Sequence, residues 1–213
     1  MQSGNPYFRP SNHGNNEFPE SLKGYFLISE SNMPDPNFFQ TVVLILEHNK
    51  EGAFGLVVNR RSRLLLADIM PQFDSQHGAA TPIYVGGPVQ QEYLFVLHSD
   101  MPESHSSSES IMQPVPGVTF EPAFSHVEYL FQTESWAGIP ADDRPRIHLF
   151  LGYSGWAPGQ LEKEMRMGSW MIHPATPRIV FHPNPEQGWK DALREKGGIY
   201  RVFAETDQNP TLN

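Results

Sequence analysis

The sequence predicts a single α+β domain, built on a curved, mostly antiparallel β-sheet with helices flanking it. Thr41–His48 is β-branched and apolar on both faces apart from its ends, and Ile147–Tyr153 is a second strongly apolar run, so they read as a buried and a central strand of the sheet. The tetrad Asn49-Lys-Glu-Gly52 after the first run has the composition of a tight turn and joins it to Ala53–Asn59 as a hairpin. The order of elements mixes runs of strands with single helices. It is neither strict βαβ alternation nor all-β, which points to helices packed outside one curved sheet.

Taken in order, residues 1–20 are rich in Asn, Ser, Pro and Gly and predict a mobile N-terminal tail. The domain spans 21–204, and 205–213 form a C-terminal tail. Gly24–Ser29 reads as the first strand. Asp35-Pro36 has the form of a helix start, with Asp capping free N–H groups and Pro at the first position, so a short turn carries Phe38 and Phe39. After the hairpin, Leu64–Met70 predicts a short helix that ends before Pro71, and Asp74–Thr81 a loop. Ile83–Val85 is a short strand stopped by Gly86-Gly87-Pro88, and Leu94–Ser99 another. Met101–Pro116, Ser- and Glu-rich with few apolar anchors, predicts an exposed mobile loop.

Phe124, Val127, Glu128 and Phe131 recur at helical spacing and predict a helix over 124–131. A helix is expected over Pro158–Met167, with Leu161 and Met165 on one face and Glu162 paired to Arg166 one turn on. Trp170–His173 and Arg178–His182 read as short strands before prolines. Asn184–Lys196 reads as a helix capped by Asn184 and ended by Gly197, and Tyr200–Phe203 as an edge strand.

Several function classes are disfavoured by composition. The chain has 213 residues and no Cys, which removes thiolate metal sites, disulfides and a cysteine nucleophile. Its net charge is −9, and the densest basic cluster, Arg60, Arg61 and Arg63, reads as a solvated turn. Direct nucleic-acid binding, which rests on neutralising phosphates, is therefore not expected. No run of 18 apolar residues exists and the N-terminus lacks a signal-peptide pattern, so a cytoplasmic protein with no membrane span is the expectation.

The motifs that touch chemistry are incomplete. Gly152-Tyr-Ser-Gly-Trp156, after a strand and before a helix, has the setting of a hydrolase nucleophile elbow with Ser154 as nucleophile. Trp156 stands where that elbow needs a small residue, so a tight strand-to-helix turn is the better reading. Gly86-Gly87 could form a backbone nest for an anion, but a turn suffices. Nine His are spread singly, without a metal-binding pair. His173 and His182 would approach each other only if their strands pair, so neither a metal nor a cofactor is expected.

Gly24–Ser29, Asp35-Pro-x-Phe38, Thr41–His48, Gly52–Asn59, Val85–Pro88, Phe95–His98 and Leu151–Glu164 occur in an order that resembles the YqgE/AlgH family of bacterial proteins. The resemblance covers about residues 22–204. It implies a bifurcated, barrel-like sheet. Members carry a transcriptional-regulator label, so it also implies a regulatory role, but the family has no established catalytic residues to transfer. Phe54 replaces the usual Met. The resulting expectation is a non-enzymatic protein that binds a partner protein or small ligand. Its candidate surface is Asn59, Gly86, Gly87, His98, Tyr153, Trp156, Gln160 and Glu162. A hydrolase using Ser154 is the alternative. Oligomeric state is not legible.

Overall fold

The structure is a computed structural model that describes residues 18–205 apart from 74–77, 79, 101–111, 132–138 and 141–142. Most of both predicted tails, most of the 74–81 loop and most of the Ser-rich loop lie outside these residues.

Ten strands form one curled sheet among the described residues, in the order β10–β1–β2–β3–β9–β6–β8–β7, with β5 joining β4 to β9. They are β1 (Tyr25–Ser29), β2 (Val42–Asn49), β3 (Gly52–Val57), β4 (Arg61–Leu65), β5 (Pro82–Val85), β6 (Val89–His98), β7 (Met112–Val115), β8 (Val118–Glu121), β9 (Ile147–Trp156) and β10 (Trp170–Pro174). All pairings are antiparallel except β5 with β9. This is the expected α+β architecture, a half-barrel with few helices.

The sheet forks along β9. One edge of β9 pairs with β6. The other edge pairs with β5 over Leu149–Leu151 and with β3 over Ser154–Trp156. The path also curls back on itself at its ends. A Cβ on Gly24, just before β1, would lie 2.5 Å from the carbonyl oxygen of Pro114 in β7. Only a residue without a side chain lets that seam close, and Gly24 has φ +78°.

Side-chain alternation divides the core between the two faces. Phe26, Leu44, Leu56, Phe95 and Phe150 bury one face together with Trp189 and Leu193 of a C-terminal helix. On the opposite face, Leu27, Val43, Ile45 and Val57 pack with Leu161 and Met165 under one wing of the fork. Ile83, Val96 and Leu149 pack with Phe124, Leu130 and Phe131 under the other. The uniformly apolar runs are thus explained: β2 and β9 are covered on both sides.

Five short α-helices accompany the sheet among the described residues: α1 (Leu66–Ile69), α2 (Gln160–Arg166), α3 (Pro177–Val180), α4 (Gly188–Lys196) and α5 (Tyr200–Glu205). Several expectations are corrected. Leu64 and Leu65 end a strand. The Ser62 hydroxyl accepts the Leu64 N–H, and the Asp68 carboxylate accepts that of Leu65, so helix α1 starts only at Leu66. The loop expected over 101–116 contains β7, which turns at Gly117 (φ +78°) into β8. The helix expected over 124–131 is two 3-10 turns, Phe124–His126 and Glu128–Phe131, with bonds three residues apart at Val127 and Leu130. A pitch of three buries the same aromatic residues.

Arg178–His182 is not a strand. Pro177 occupies the first position of α3 and starts a helical turn that buries Ile179 and Val180. Tyr200–Phe203 is helical too, since Tyr200 packs on the core and Ala204, one turn on, is buried. Asn184 makes no side-chain cap, and a 3-10 turn at Pro185–Gln187 precedes α4, which ends at Gly197. Most consequential, Gly152–Trp156 is not a turn: β9 runs through it to Trp156, and the chain turns at Ala157–Gly159 instead.

Candidate functional site

Gly86 and Gly87 lie where β5 leaves β9 and β3 takes its place. The Gly86 N–H donates to the Leu151 carbonyl at 2.9 Å, and the Gly86 carbonyl accepts the Val57 N–H at 2.8 Å. The same carbonyl accepts the Ser154 hydroxyl at 3.1 Å. A fork leaves backbone groups without ladder partners, and Ser154 supplies one inside the core. A Cβ on Gly86 would lie 2.3 Å from the Gly152 carbonyl oxygen, and one on Gly87 2.2 Å from the Tyr153 carbonyl. The glycines are therefore a backbone crossing. Ser154 is fully buried and its proton is committed, so it is not presented to a substrate.

Asn59 continues the same bracing. Its side-chain carbonyl accepts the Val42 N–H at 2.7 Å, and its amide donates to the Gln40 carbonyl at 2.9 Å. Gln40 holds φ +51°, a costly conformation for a residue with a side chain. Arg60 donates to the carbonyls of Pro36, Asn37 and Phe39 at 3.2, 2.6 and 3.0 Å. It is a clamp on the 35–40 turn, where the Asp35 carboxylate accepts the Asn37 N–H. The basic cluster is thus not a solvated turn: Arg60 is engaged internally, and Arg61 and Arg63 are exposed on β4.

Trp156 and Gln160 meet on Glu164. The indoles of Trp156 and Trp170 donate to one carboxylate oxygen at 2.9 and 2.8 Å, and the Gln160 amide donates to the other at 2.9 Å. Phe38 stacks on Trp156 at 6.2 Å and meets Trp170 edge-on at 5.4 Å. Glu162 pairs with His48 across the hairpin. The His48 Nδ1 accepts the Leu22 N–H at 3.0 Å, which places the proton on Nε2, 3.1 Å from Glu162. Partial burial opposes ionisation of Glu162, but its own backbone N–H and His48 outweigh it and hold its pKa below the ordinary value.

His98 stands elsewhere. It faces Ile147 at the opposite end of β9 from Trp156, about 30 Å away at strand rise. Its Nδ1 lies 2.8 Å from the Ser99 carbonyl and its Nε2 3.8 Å from Glu121, whose other oxygen meets His126 at 2.9 Å. The sequence reading missed Glu121, a carboxylate in the short apolar run Val118–Glu121. It also missed the pairing of His48 with Glu162. No local motif marks either, because the partners are brought together by sheet register. His173 and His182 do not pair strands. They address Glu195 at 4.0 Å and Asp191 at 2.8 Å on α4. Among the described residues no three His, Asp or Glu form a group that could hold a metal.

Tyr153 packs half-buried at the edge of the core aromatic cluster. Its ring lies 4.9 Å from Phe54 and 6.0 Å from Phe95, and Phe54 also meets Phe120. Phe95 and Phe120 are buried, whereas Phe54 and Tyr153 are only half-buried. Beside them β6 departs from regular register between Val89 and Leu94, with Gln90 at φ +48°. Tyr93, within this irregular stretch of β6, is 54% exposed. The core aromatic cluster thus opens to solvent at this end of the half-barrel. A separate open depression of about 350 Å³ lies beside Thr81, Leu130, Phe131, Arg144 and Ile147, with no carboxylate or imidazole among its described lining residues.

The family described as AlgH-like (DUF179) matches residues 26–201. The chain belongs to it. A UPF0301 protein of Chlorobium phaeobacteroides is 33% identical over 93% of this chain and 99% of its own length. A UPF0301 protein of Stutzerimonas stutzeri is 38% identical over 87% of this chain and 94% of its own length. The solution structure of the AlgH protein from Pseudomonas aeruginosa superposes with a TM-score of 0.64 at 32% identity, covering 92% of this chain and all of that one. Protein DIP2367 from Corynebacterium diphtheriae shares the fold, with a TM-score of 0.65 at 21% identity over 90% of this chain and 94% of that one. In this chain Gly86, Gly87 and Ser154 build the fork, and Asn59 braces the strands beside it.

Proposed function

We propose that this AlgH-like chain is a non-enzymatic, cytoplasmic binding protein with a regulatory role, and that it recognises a partner protein through the aromatic opening at Phe54, Tyr93 and Tyr153. The observation that carries the reading is the half-buried Tyr153–Phe54 pair at the edge of the core aromatic cluster, with Tyr93 54% exposed on the irregular stretch of β6 between Val89, opposite Tyr153, and Leu94. Aromatic side chains offer large contact area at low entropic cost and are enriched at the centres of interfaces. The other candidate residues support it indirectly: Asn59, Trp156, Gln160, Glu162 and Ser154 spend their polar groups on this chain. With a net charge of −9, regulation would run through a protein and not through duplex DNA.

The test compares tagged wild type with a Tyr93→Ser/Tyr153→Ser variant in native lysate, with mass spectrometry of captured proteins and small molecules. One partner lost by the variant, with folding intact by circular dichroism, is the expected result. Identical capture by both proteins overturns the proposal. Labelling of Ser154 by a serine-directed fluorophosphonate would favour the hydrolase instead.

A further inference from the structure

Glu121 ends β8 in a run that is buried throughout, and antiparallel register sets it opposite Val96. Two imidazoles address its carboxylate. His126 Nδ1 lies 2.9 Å from Oε2, and Nε2 of the buried His98 lies 3.8 Å from Oε1. An ionised carboxylate only accepts, so the His126 proton sits on Nδ1 and the lone pair is left on Nε2. The 3-10 turn Phe124–His126 carries this ring at the surface, where the His126 side chain is 51% exposed and that of Glu121 only 10%. Among the described residues, His126 Nε2 has no hydrogen-bond partner.

The other described histidines lack this combination. His48 and His182 spend both ring nitrogens, each accepting a backbone N–H at Nδ1 and facing a carboxylate at Nε2. His98 is buried, and His148 is enclosed by the rings of Tyr84 and Phe181. His173 stands 4.0 Å from Glu195, with its side chain 21% exposed. A carboxylate on one imidazole N–H orients the ring and stabilises the positive charge that develops when the other nitrogen attacks an electrophile. His126 is the ring placed to use that effect on a molecule arriving from solvent.

We propose that His126 is a phosphoryl-acceptor site, modified at Nε2 by a small phosphoryl donor of the acyl phosphate or phosphoramidate class. The Nε2–P bond forms as the donor's P–O or P–N bond breaks, and the carboxylate or amine leaves with the bonding electron pair. The Nδ1 proton stays between the ring and Glu121, so the phosphoimidazolium keeps its buried counter-charge. Acyl groups on imidazole are lost to water faster than phosphoryl groups, so phosphoryl is the modification that persists. Its added charge is what a regulatory switch reads. The acceptor is stoichiometric, so the site asks for no turnover by a binding protein.

The test treats the full chain with potassium phosphoramidate at neutral pH, with N-acetylhistidine in the same solution as an unassisted imidazole. Peptide mass spectrometry under non-acidic conditions locates the label, and nuclear magnetic resonance assigns the nitrogen. His126 is expected to be labelled at Nε2 about tenfold faster than N-acetylhistidine, and Glu121→Gln, which keeps an acceptor but loses the charge, to remove that advantage. The comparison with N-acetylhistidine uses the wild type, so it stands whether or not the variant folds, which circular dichroism verifies. Labelling of His126 no faster than N-acetylhistidine, labelling at Nδ1, or a folded Glu121→Gln variant that reacts at the wild-type rate overturns the proposal. The site shares no residue with the Tyr93–Tyr153 opening, so its outcome is independent of that reading.

Discussion

The buried polar side chains along the C-terminal half of β9 have partners: Ser154 donates to the Gly86 carbonyl and Trp156 to Glu164. Six residues before Ser154 on the same strand, His148 keeps its Nδ1 buried without a hydrogen-bond partner. Its ring stacks on Tyr84 at 4.5 Å and meets Phe181 edge-on at 5.3 Å, with Arg146 over the Phe181 ring. One half of the strand uses polar groups to repair a fork in the backbone ladder. The other carries an imidazole as an aromatic plate. The first arrangement depends on shape and hydrogen bonding, and the second on the ring staying uncharged. The two halves should respond to different perturbations.

Steric change at the fork should have the largest effect. Gly87→Ala sets a Cβ 2.2 Å from the Tyr153 carbonyl, and Gly86→Ala sets one 2.3 Å from the Gly152 oxygen. Both contacts are to backbone, which cannot rotate away, so two strands must separate. Each variant is expected to lose about 3 kcal/mol or more, or to fail to fold. Urea titration against Gly159→Ala is the measurement. Gly159 has φ +74° but nothing within 4 Å of a Cβ, so that control reads conformational strain alone. Equal losses at Gly87 and Gly159 would remove close approach as the cause.

The His148 half should respond to acid. Burial, then the Arg146 charge, push its pKa down to about 4, and a hydrogen bond to the Val180 backbone opposes them only in part. An unfolded imidazole titrates near ~6.5. Between these values the unfolded chain binds the extra proton, so stability falls as pH drops from ~6.5 and levels off near ~4. The largest loss from this group is about 3 kcal/mol. His148→Phe keeps the stacking and removes the titration, so its urea midpoint should be flatter over that window. A variant that follows the wild-type pH curve would show that other groups set the slope.

How legible this was in the sequence depended on the range of the cause. The hairpin of β2 and β3 was legible because Asn49–Gly52 and the flanking runs are local signals. The fork was not, although its residues were all singled out. Gly152-Tyr-Ser-Gly-Trp156 looks like a turn because Gly152 takes φ +69°, yet that angle serves a crossing with Gly87 sixty-five positions earlier. Helices α3 and α5 were misread as strands because Ile179, Val180 and Val202 are β-branched, and packing overrode that preference. Of the candidate site, the residues were found but not their roles. Seven of the eight candidates serve this chain's own bracing or packing, and Tyr153 sits half-buried with Phe54 at the edge of the core aromatic cluster.

Within the C-terminal half, Ser154→Ala separates hydrogen bonding from steric fit. The Gly86 carbonyl keeps the Val57 N–H, so no buried acceptor is stranded and the loss should be near ~1 kcal/mol. For a chain of this length that is a fall in Tm of about 2–4 °C. Ser154→Val, which forces volume into the same closed crossing, should cost more. If alanine were as damaging as valine, the hydroxyl and not the space would dominate the fork.

The smallest effect lies at the His48–Glu162 contact, just beyond the fork. The Glu162 side chain is 37% exposed, so solvent screens the pair and its worth is a few tenths of a kcal/mol. The sign is fixed by the lowered carboxyl pKa. The folded state releases the Glu162 proton more readily than the unfolded chain, so the contribution is present above the ordinary carboxyl value. It is lost as pH falls through the folded one. Glu162→Gln should therefore be slightly less stable near neutrality and nearly equal to wild type in acid. The Leu22 amide provides a sharper readout, because its acceptor is the Nδ1 of the same imidazole. Removing the carboxylate loosens the ring that holds Leu22, so hydrogen exchange at that amide should quicken while exchange at the fork amides of Val57 and Gly86 stays unchanged. Faster exchange at all three would mean that hairpin, helix α2 and fork open as one unit.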